Sequence, residues 1–338
     1  MTQRVAIVIP TWNRPLLLAQ VLGDLRRQTY PIERVIVVDN GSTDDSVVVA
    51  RSAGAEVIQM GANVGFAAAV NRGIQSVHTS VNAARKSACA TETEWIGIVN
   101  NDVELEPDWL EKLMAGLGAE TWFGTGKLLN AGARERIDGT FDALCRGGCA
   151  WRCGHGRLDS QLWSRPRSIQ LAPLTAAVFR ADLFRRVGLL DEQFESYLED
   201  VDFGLRCAEL GLEGLYVPEA IAYHTGSATL GQWHPDTVRR IARNQLVLVA
   251  KHYPPDWIKR YGWPVFVAQV LWGFLALRHG ALLGYLAGKI EGVRGFRAAR
   301  GRHSGNFPAT LEQSEGQIRE LQSLTGFDWY WRLYFALT

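Results

Sequence analysis

The chain reads as an α/β protein: a doubly wound, mostly parallel sheet flanked by helices, with a helical extension at its C-terminal end. Three observations predict this. Short β-branched runs alternate with amphipathic stretches through the first half. Polar residues gather where those runs end, and from about Thr237 the chain turns helical and increasingly basic.

Val5–Ile9 is expected as the first strand. Pro15–Gln28 follows as a helix with Leu16, Leu17, Ala19, Val21, Leu22 and Leu25 on its buried side. Val35–Val38 is a second strand, Thr43–Ala53 a helix, Glu56–Gln59 a third strand and Ala67–Val77 a helix. Ligands of such sheets bind beyond the carboxyl ends of the strands. The polar segments Pro10-Thr11-Trp12-Asn13-Arg14, Asp39-Asn40-Gly41-Ser42 and Asn63-Val64-Gly65 lie there.

Residues 81–94 break the rhythm and read as an irregular insertion. Trp95–Val99 is a strand running into the acidic turn Asn100-Asn101-Asp102, and Pro107–Leu117 is a helix opened by a proline. Residues 130–166, rich in Gly, Arg, Cys and Trp without a period, read as a long loop region. Order returns at Leu174–Arg180 and Ala181–Val187. A helix follows at Val201–Gly211, then a strand-like Gly214–Val217 ended by a turn at Pro218. No internal repeat is evident.

Bulk properties narrow the class. With 47% hydrophobic and 21% charged residues, the 338-residue chain is an ordinary globular protein of one large domain plus an appendage, or of two domains. A net charge of +1 argues against a dedicated nucleic-acid binder. Five cysteines, an odd number at uneven spacing, fit a reducing cytoplasm. Met1–Arg4 runs straight into an apolar strand, so a secretory leader is not expected. No apolar run is long enough to span a bilayer; the nearest, Trp263–Leu277, contains Gln269 and ends at Arg278.

Two acidic clusters carry the chemistry. A strand end presenting Asp102, in a chain without a zinc pattern, suggests a hard cation held by oxygens, with an anionic group such as a phosphate as its partner. About a hundred residues later, Leu198-Glu199-Asp200-Val201-Asp202-Phe203 offers a carboxylate free to move a proton. Glu199, Asp200 and Asp202 equally suit the positive end of a helix, and Asp202 is read as no more than that. Glu104 reads either as a further metal ligand or as a solvated charge. Asp39 fits a helix cap and turn, or a carboxylate accepting from the ring N–H of a uracil or thymine. A lone histidine is more often structural, but His224, before Thr225-Gly226-Ser227, sits in a tight loop that favours metal ligation. Cys145, Cys149 and Cys153 with His155 lack the paired spacing of structural zinc sites and read as free thiols in a loop.

Taken together, Val5–Arg14, Val37–Asp45, Asn63–Phe66 with Asn71-Arg72-Gly73, Asn100–Glu104 and Leu198–Phe203 resemble glycosyltransferase family 2, inverting enzymes of the GT-A fold. The bacterial rhamnosyltransferase-like and galactofuranosyltransferase-like subgroup looks closest, since it also resembles the His224 segment and Arg243-Asn244. The resemblance spans about residues 4–245. It implies a catalytic domain over 1–236, with a donor half of about 1–104 and an acceptor half of about 105–236, and a helical, basic region over 237–338. It also implies Asp102 and His224 as ligands of Mg2+ or Mn2+, Asp39 against the base and Asp200 as catalytic base. Pro10, Thr11, Asn13, Arg14, Gly41, Asn63, Gly65, Asn71, Arg72, Asn101, Glu199 and Arg243 are then candidates to line the substrates. Asn100 and Asn101 depart from the acids often found in the family's metal motif, which implies an ion held by few protein charges and bound mainly with the donor.

The reaction implied is inverting transfer of a sugar, rhamnose among the candidates, from a UDP- or dTDP-sugar. The acceptor expected is a hydroxyl of a lipid-linked bacterial surface glycan. Alternatives are another sugar (galactofuranose, glucose, N-acetylglucosamine) moved to a soluble acceptor, or a non-catalytic carbohydrate-binding protein. The apolar and aromatic residues from Trp263, followed by Arg278, Lys289, Arg294, Arg297, Arg300 and Arg302, fit an interfacial helix on the inner face of the cell membrane. The same pattern also fits a cap on the catalytic domain or a homodimer contact. Trp151 and Trp163 are expected either to shape the acceptor pocket, since flat aromatic faces suit sugar rings, or to be core residues. A Gly-rich nucleotide loop after the first strand is absent, which removes dinucleotide oxidoreductases and sugar nucleotidyltransferases from consideration.

Overall fold

A computed structural model describes residues 2–85, 93–226, 233–301 and 306–338. The N-terminal half follows the expected alternation: β1 (Val5–Thr11), α1 (Pro15–Arg26), β2 (Arg34–Asp39), α2 (Ser46–Ser52), β3 (Glu56–Gln59), α3 (Phe66–Arg85) and β4 (Trp95–Val99). The middle holds β5 (Val103–Leu105), α4 (Trp109–Gly116), β6 (Phe123–Asn130), β7 (Ala133–Gly139), β8 (Asp142–Leu144), β9 (Ala150–Arg152) and β10 (Arg167–Ile169). Then come β11 (Ala176–Arg180), α5 (Ala181–Val187), α6 (Glu199–Glu209) and β12 (Gly214–His224). Five helices end the chain: α7 (Pro235–His252), α8 (Trp257–Arg278), α9 (Leu282–Gly295), α10 (Phe307–Thr325) and α11 (Trp329–Leu337).

The main sheet runs β10-β12-β6-β11-β4-β1-β2-β3, with β5 on β12 and β7 on β6. It is parallel through β3-β2-β1-β4, and β11 then pairs antiparallel with both β4 and β6. β1 is buried along its whole length, because helices cover both faces, so it reads as a continuous apolar run and not as an alternation. Strand order reverses between β1 and β4, which opens a crevice at their carboxyl ends. Asn13 and Arg14 take left-handed backbone there, and Pro15 then starts α1.

Several expectations are corrected. α3 continues to Arg85, so the stretch read as irregular from 81 begins helical; residues 86–92 lie outside the described ones. Residues 130–166 are not a long loop. β6 and β7 pair, and β8 and β9 form a separate two-stranded hairpin, in strands too short for a period to show. Cys145, Cys149 and Cys153 are free thiols as expected, but buried at this hairpin instead of lying in an open loop. β12 runs through Pro218 to His224 with a register shift between Val217 and Ile221, because a strand accommodates proline at an irregularity. On α1, Leu16 is 84% exposed and Ala19 also faces outward.

The terminal helices clasp the β8–β9 hairpin. The Leu144 amide donates to Ser314 Oγ (2.7 Å), and Arg146 donates through backbone and Nε to the Glu315 carboxylate (both 2.6 Å). Tyr334 Oη also donates to Glu315 (2.8 Å), and Gln269 Nε2 donates to the Gly147 carbonyl (2.9 Å). α7 to α11 therefore brace the hairpin that carries Asp142 and Arg152.

Candidate active site

At the crevice, the loops after β1, β2, β3 and β4 are laced together by short polar side chains. Asn101 Nδ2 donates to Thr11 Oγ1 (2.8 Å), the Asn13 amide to Ser42 Oγ (2.8 Å), and the Thr43 amide to Asn13 Oδ1 (3.0 Å). Asn40 accepts from the Val64 amide (2.9 Å) and donates to Asn63 Oδ1 (3.1 Å). Asp39, 2% exposed at the end of β2, accepts from the Ser42 amide (3.3 Å). Gly41 has φ +78°, and a Cβ on it would lie 2.6 Å from the Ala62 carbonyl carbon. Only glycine allows this approach of the two loops.

The two acidic clusters meet through residues between them. His224, at the end of β12, places Nε2 3.4 Å from Asp102 Oδ1 and Nδ1 2.8 Å from Asp138 Oδ2. Burial opposes charge on this imidazole, but the bonds to Asp102 and Asp138 outweigh it and raise His224 to about 9. Asp138 also lies 3.6 Å from Arg152, which approaches Asp142 at 3.5 Å. Burial raises the half-buried Asp200, and the positive charge of Arg152 pulls it back down. Burial, reinforced by Asp200, pushes the Glu199 carboxyl well above the usual range. Its Oε2 is buried without a partner among the described residues.

A strained loop sets Asp200 at the start of α6. Glu195, Tyr197 and Leu198 have φ of 59°, 73° and 68°. Fully buried Asn244 on α7 holds that loop, its Nδ2 donating to the carbonyls of Phe194 (2.9 Å), Ser196 (3.0 Å) and Tyr197 (2.8 Å). The Ala67 amide at the start of α3 donates to the Glu195 carbonyl (3.1 Å), which ties the loop to the first half of the chain.

This α/β crevice can be set beside known proteins. Residues 6–121 match the family model described as Glycosyl transferase family 2. The chain is a glycosyltransferase, and residues 6–121 are its family 2 domain. An N-acetylglucosaminyl-diphospho-decaprenol L-rhamnosyltransferase of Mycobacterium tuberculosis is 25% identical over 301 residues, covering 82% of this chain and 92% of that protein. The O-antigen biosynthesis protein RfbC of Myxococcus xanthus is 26% identical over 243 residues, 68% of this chain but 18% of that longer protein. A mannosyltransferase from Pyrobaculum calidifontis, solved with GDP-Man and Mn2+, has a like fold: TM-score 0.51 at 16% identity, over 99% of this chain and 87% of that one.

Not every expected site residue of the glycosyltransferase faces the crevice. Glu104, read as a metal ligand or a solvated charge, pairs here with Arg134 Nη2 at 2.6 Å. Asn71 is buried and saturated, bonded to the Leu190 carbonyl and amide and to Glu192, so it supports the chain before the strained loop instead of lining a substrate. Arg243 donates to Asn244 Oδ1 (3.1 Å), beside the same loop. Trp163 is a core residue, 2% exposed, with its carbonyl accepting from Tyr216 Oη; Trp151 packs edge-on against Trp331. Arg14, Asn63 and Arg72 are exposed, while Pro10 and Thr11 are buried at the crevice floor. Asp138, Asp142 and Arg152 were missed, since they fall in the stretch read as loop. The acid at Asp138 beside Ile137 and Gly139, which are both buried, was the available signal.

The donor set fits a divalent cation. A carboxylate faces an imidazole whose other nitrogen is anchored by a second carboxylate, the arrangement that orients a metal-binding histidine. Among the described residues no group of three His, Cys, Asp or Glu side chains converges, so the protein would supply few ligands and substrate or water the rest. Asn100 Oδ1, buried without a partner among the described residues, leaves one more oxygen beside Asp102.

Proposed function

We propose that this glycosyltransferase moves a sugar, rhamnose as first candidate, from a UDP- or dTDP-sugar to a hydroxyl of a lipid-linked bacterial surface glycan, with inversion and with a divalent metal. The observation that carries the reading is the run of contacts Asp102–His224–Asp138–Arg152, with the Arg152 charge acting on Asp200 of the second acidic cluster. Support for a uracil or thymine base comes from buried Asp39 at the strand end, an acceptor for a ring N–H. Support for rhamnose and for a lipid-linked acceptor comes from the relative's printed activity. The setting would be the cytoplasmic side of the membrane.

In this reading Mg2+ or Mn2+, held by Asp102 and His224, supplies charge stabilisation for the departing nucleoside diphosphate. Asp200 accepts the proton of the acceptor hydroxyl as that oxygen attacks the anomeric carbon from the opposite face. The C–O bond to the diphosphate breaks as the new one forms, so configuration inverts without a covalent enzyme intermediate. Glu199, whose Oε2 is buried without a partner among the described residues, would face a sugar hydroxyl beside Asp200.

Donor turnover tests the proposal. Purified protein with Mn2+ or Mg2+ and a panel of nucleotide sugars is expected to release nucleoside diphosphate from one donor, and to stop with EDTA or in Asp102→Ala. Calorimetry on the same samples separates a missing acceptor from a missing donor site; if no nucleotide sugar binds with metal present, the proposal fails. Asp138→Ala leaves His224 unanchored, and calorimetric Mn2+ titration in the presence of UDP should show affinity lower by about 10–100-fold. Unchanged Mn2+ affinity would remove Asp138 from the site's support.

A further inference from the structure

Three terminal helices leave an apolar face uncovered. On α8, beyond Ile258 in its first turn, the exposed large apolar side chains are Trp263, Phe266, Val270, Phe274 and Leu277, spaced three and four apart on one stripe. The apolar residues between them, Val265, Val267 and Leu271, are buried against the protein, so the outward stripe is surplus to the core. α9 adds Leu283, Leu286, Ile290 and Val293. Its opposite side carries Gly284, Gly288 and Gly292, on which a Cβ would collide with the backbone or side chains of α7. α11 adds Trp329, Leu333 and Leu337. α8 contacts both α9 and α11, and Trp263 Nε1 donates to the Leu337 carbonyl (2.8 Å), so the stripes adjoin. Globular monomers rarely leave contiguous apolar surface of this extent.

The charge around this face has one sign. Between residues 257 and 301 the only acid is Glu291, and it is paired with Arg239 at 2.8 Å. Lys259, Arg278, Arg294 and Arg297 are exposed. No helix among the described residues is long and apolar enough to cross a membrane. We propose that the α11–α8–α9 face seats the protein on an anionic lipid surface, with its aromatic and aliphatic stripes at the acyl boundary and the lysine and arginines against the headgroups. A second copy suits the face less well, since a symmetric contact would bring the same cations together. The inference stands apart from donor and acceptor chemistry.

Vesicle cosedimentation of the full chain tests it. Wild type is expected to pellet with phosphatidylcholine vesicles containing roughly a third phosphatidylglycerol and to bind pure phosphatidylcholine at least about tenfold more weakly. Phe266→Ser/Phe274→Ser and Leu286→Ser/Ile290→Ser should each lose binding to both vesicles. Arg294→Glu/Arg297→Glu should lose only the preference for anionic lipid. Circular dichroism and melting of the variants check folding, and the wild-type result decides alone if a variant unfolds. The proposal is overturned if wild type stays in the supernatant with anionic vesicles at low salt. Apolar variants that are folded and bind like wild type overturn it too, as does a wild-type dimer that those variants dissociate.

Discussion

Asp200→Asn is expected to lower kcat by about 10²–10⁴-fold while leaving donor affinity within a few-fold of wild type. The substitution keeps the shape of the side chain and an oxygen to accept the Val201 amide, which now reaches Asp200 Oδ1 at 2.8 Å. What it removes is the lone pair that takes the acceptor proton. Neighbouring Glu199 is a poor substitute, because burial pushes its carboxyl well above the usual range. Asp142 is also driven upward by burial and is paired with Arg152 at 3.5 Å. Arg152 matters because a guanidinium does not lose its charge, so it opposes the upward push that burial gives the Asp200 carboxyl. Initial rates and donor calorimetry on the same preparation check the expectation. A variant retaining half the wild-type rate would place the base elsewhere.

The N-terminal part, through β4, was legible in sequence because its physics is local. Strands buried on both faces give unbroken β-branched runs, and the turns after them need Pro, Gly, Asn and Asp for reasons of backbone geometry. Thus Pro10, Asp39, Gly41 and Asp102 all stand where the alternation placed them. Asp102 and His224 do come together as expected, although the chain between them is long. The stretch from β7 to β9 was not legible, since its order comes from packing. β8 and β9 are three residues each and owe their place to Glu315, Ser314 and Gln269, over a hundred residues away. No periodicity records such contacts, so Asp138, Asp142 and Arg152 stayed hidden. The apolar tail was read as a surface element from composition, but only the fold separates its buried residues Val265, Val267 and Leu271 from the outward stripe.

Asp202→Asn should destabilise the fold by about 3–5 kcal/mol near pH 5.5, a large effect for a residue that the sequence presents as a helix-dipole acid. Asp202 is fully buried and holds three cations: Arg206 at 3.0 Å, Lys251 at 2.7 Å and His252 at 2.9 Å. Removing its charge leaves those groups facing one another in a dry site between α6 and α7. Burial alone would raise this carboxyl, but His252, Arg206 and Lys251 override it and hold Asp202 far below the usual range. A depressed acid contributes fully above its unfolded pKa of about 4, and the contribution is lost as pH falls through the folded value. His252 is shifted the other way: burial lowers it, yet Asp202 and Glu209 raise it overall. Its contribution is therefore complete below about 6.5 and fades as pH rises through the folded value. The gap between wild type and variant should be widest from about pH 4 to 6.5, shrink toward pH 3 and narrow partly toward pH 8. Urea melts at pH 3, 5.5 and 8 measure it. A gap under about 1 kcal/mol at pH 5.5, the scale of a surface ion pair, would show that Asp202 is not the hub joining these helices. Since α6 also carries Asp200, the surviving folded variant should lose activity in proportion to how far α6 shifts against α7, with kcat falling more than donor affinity.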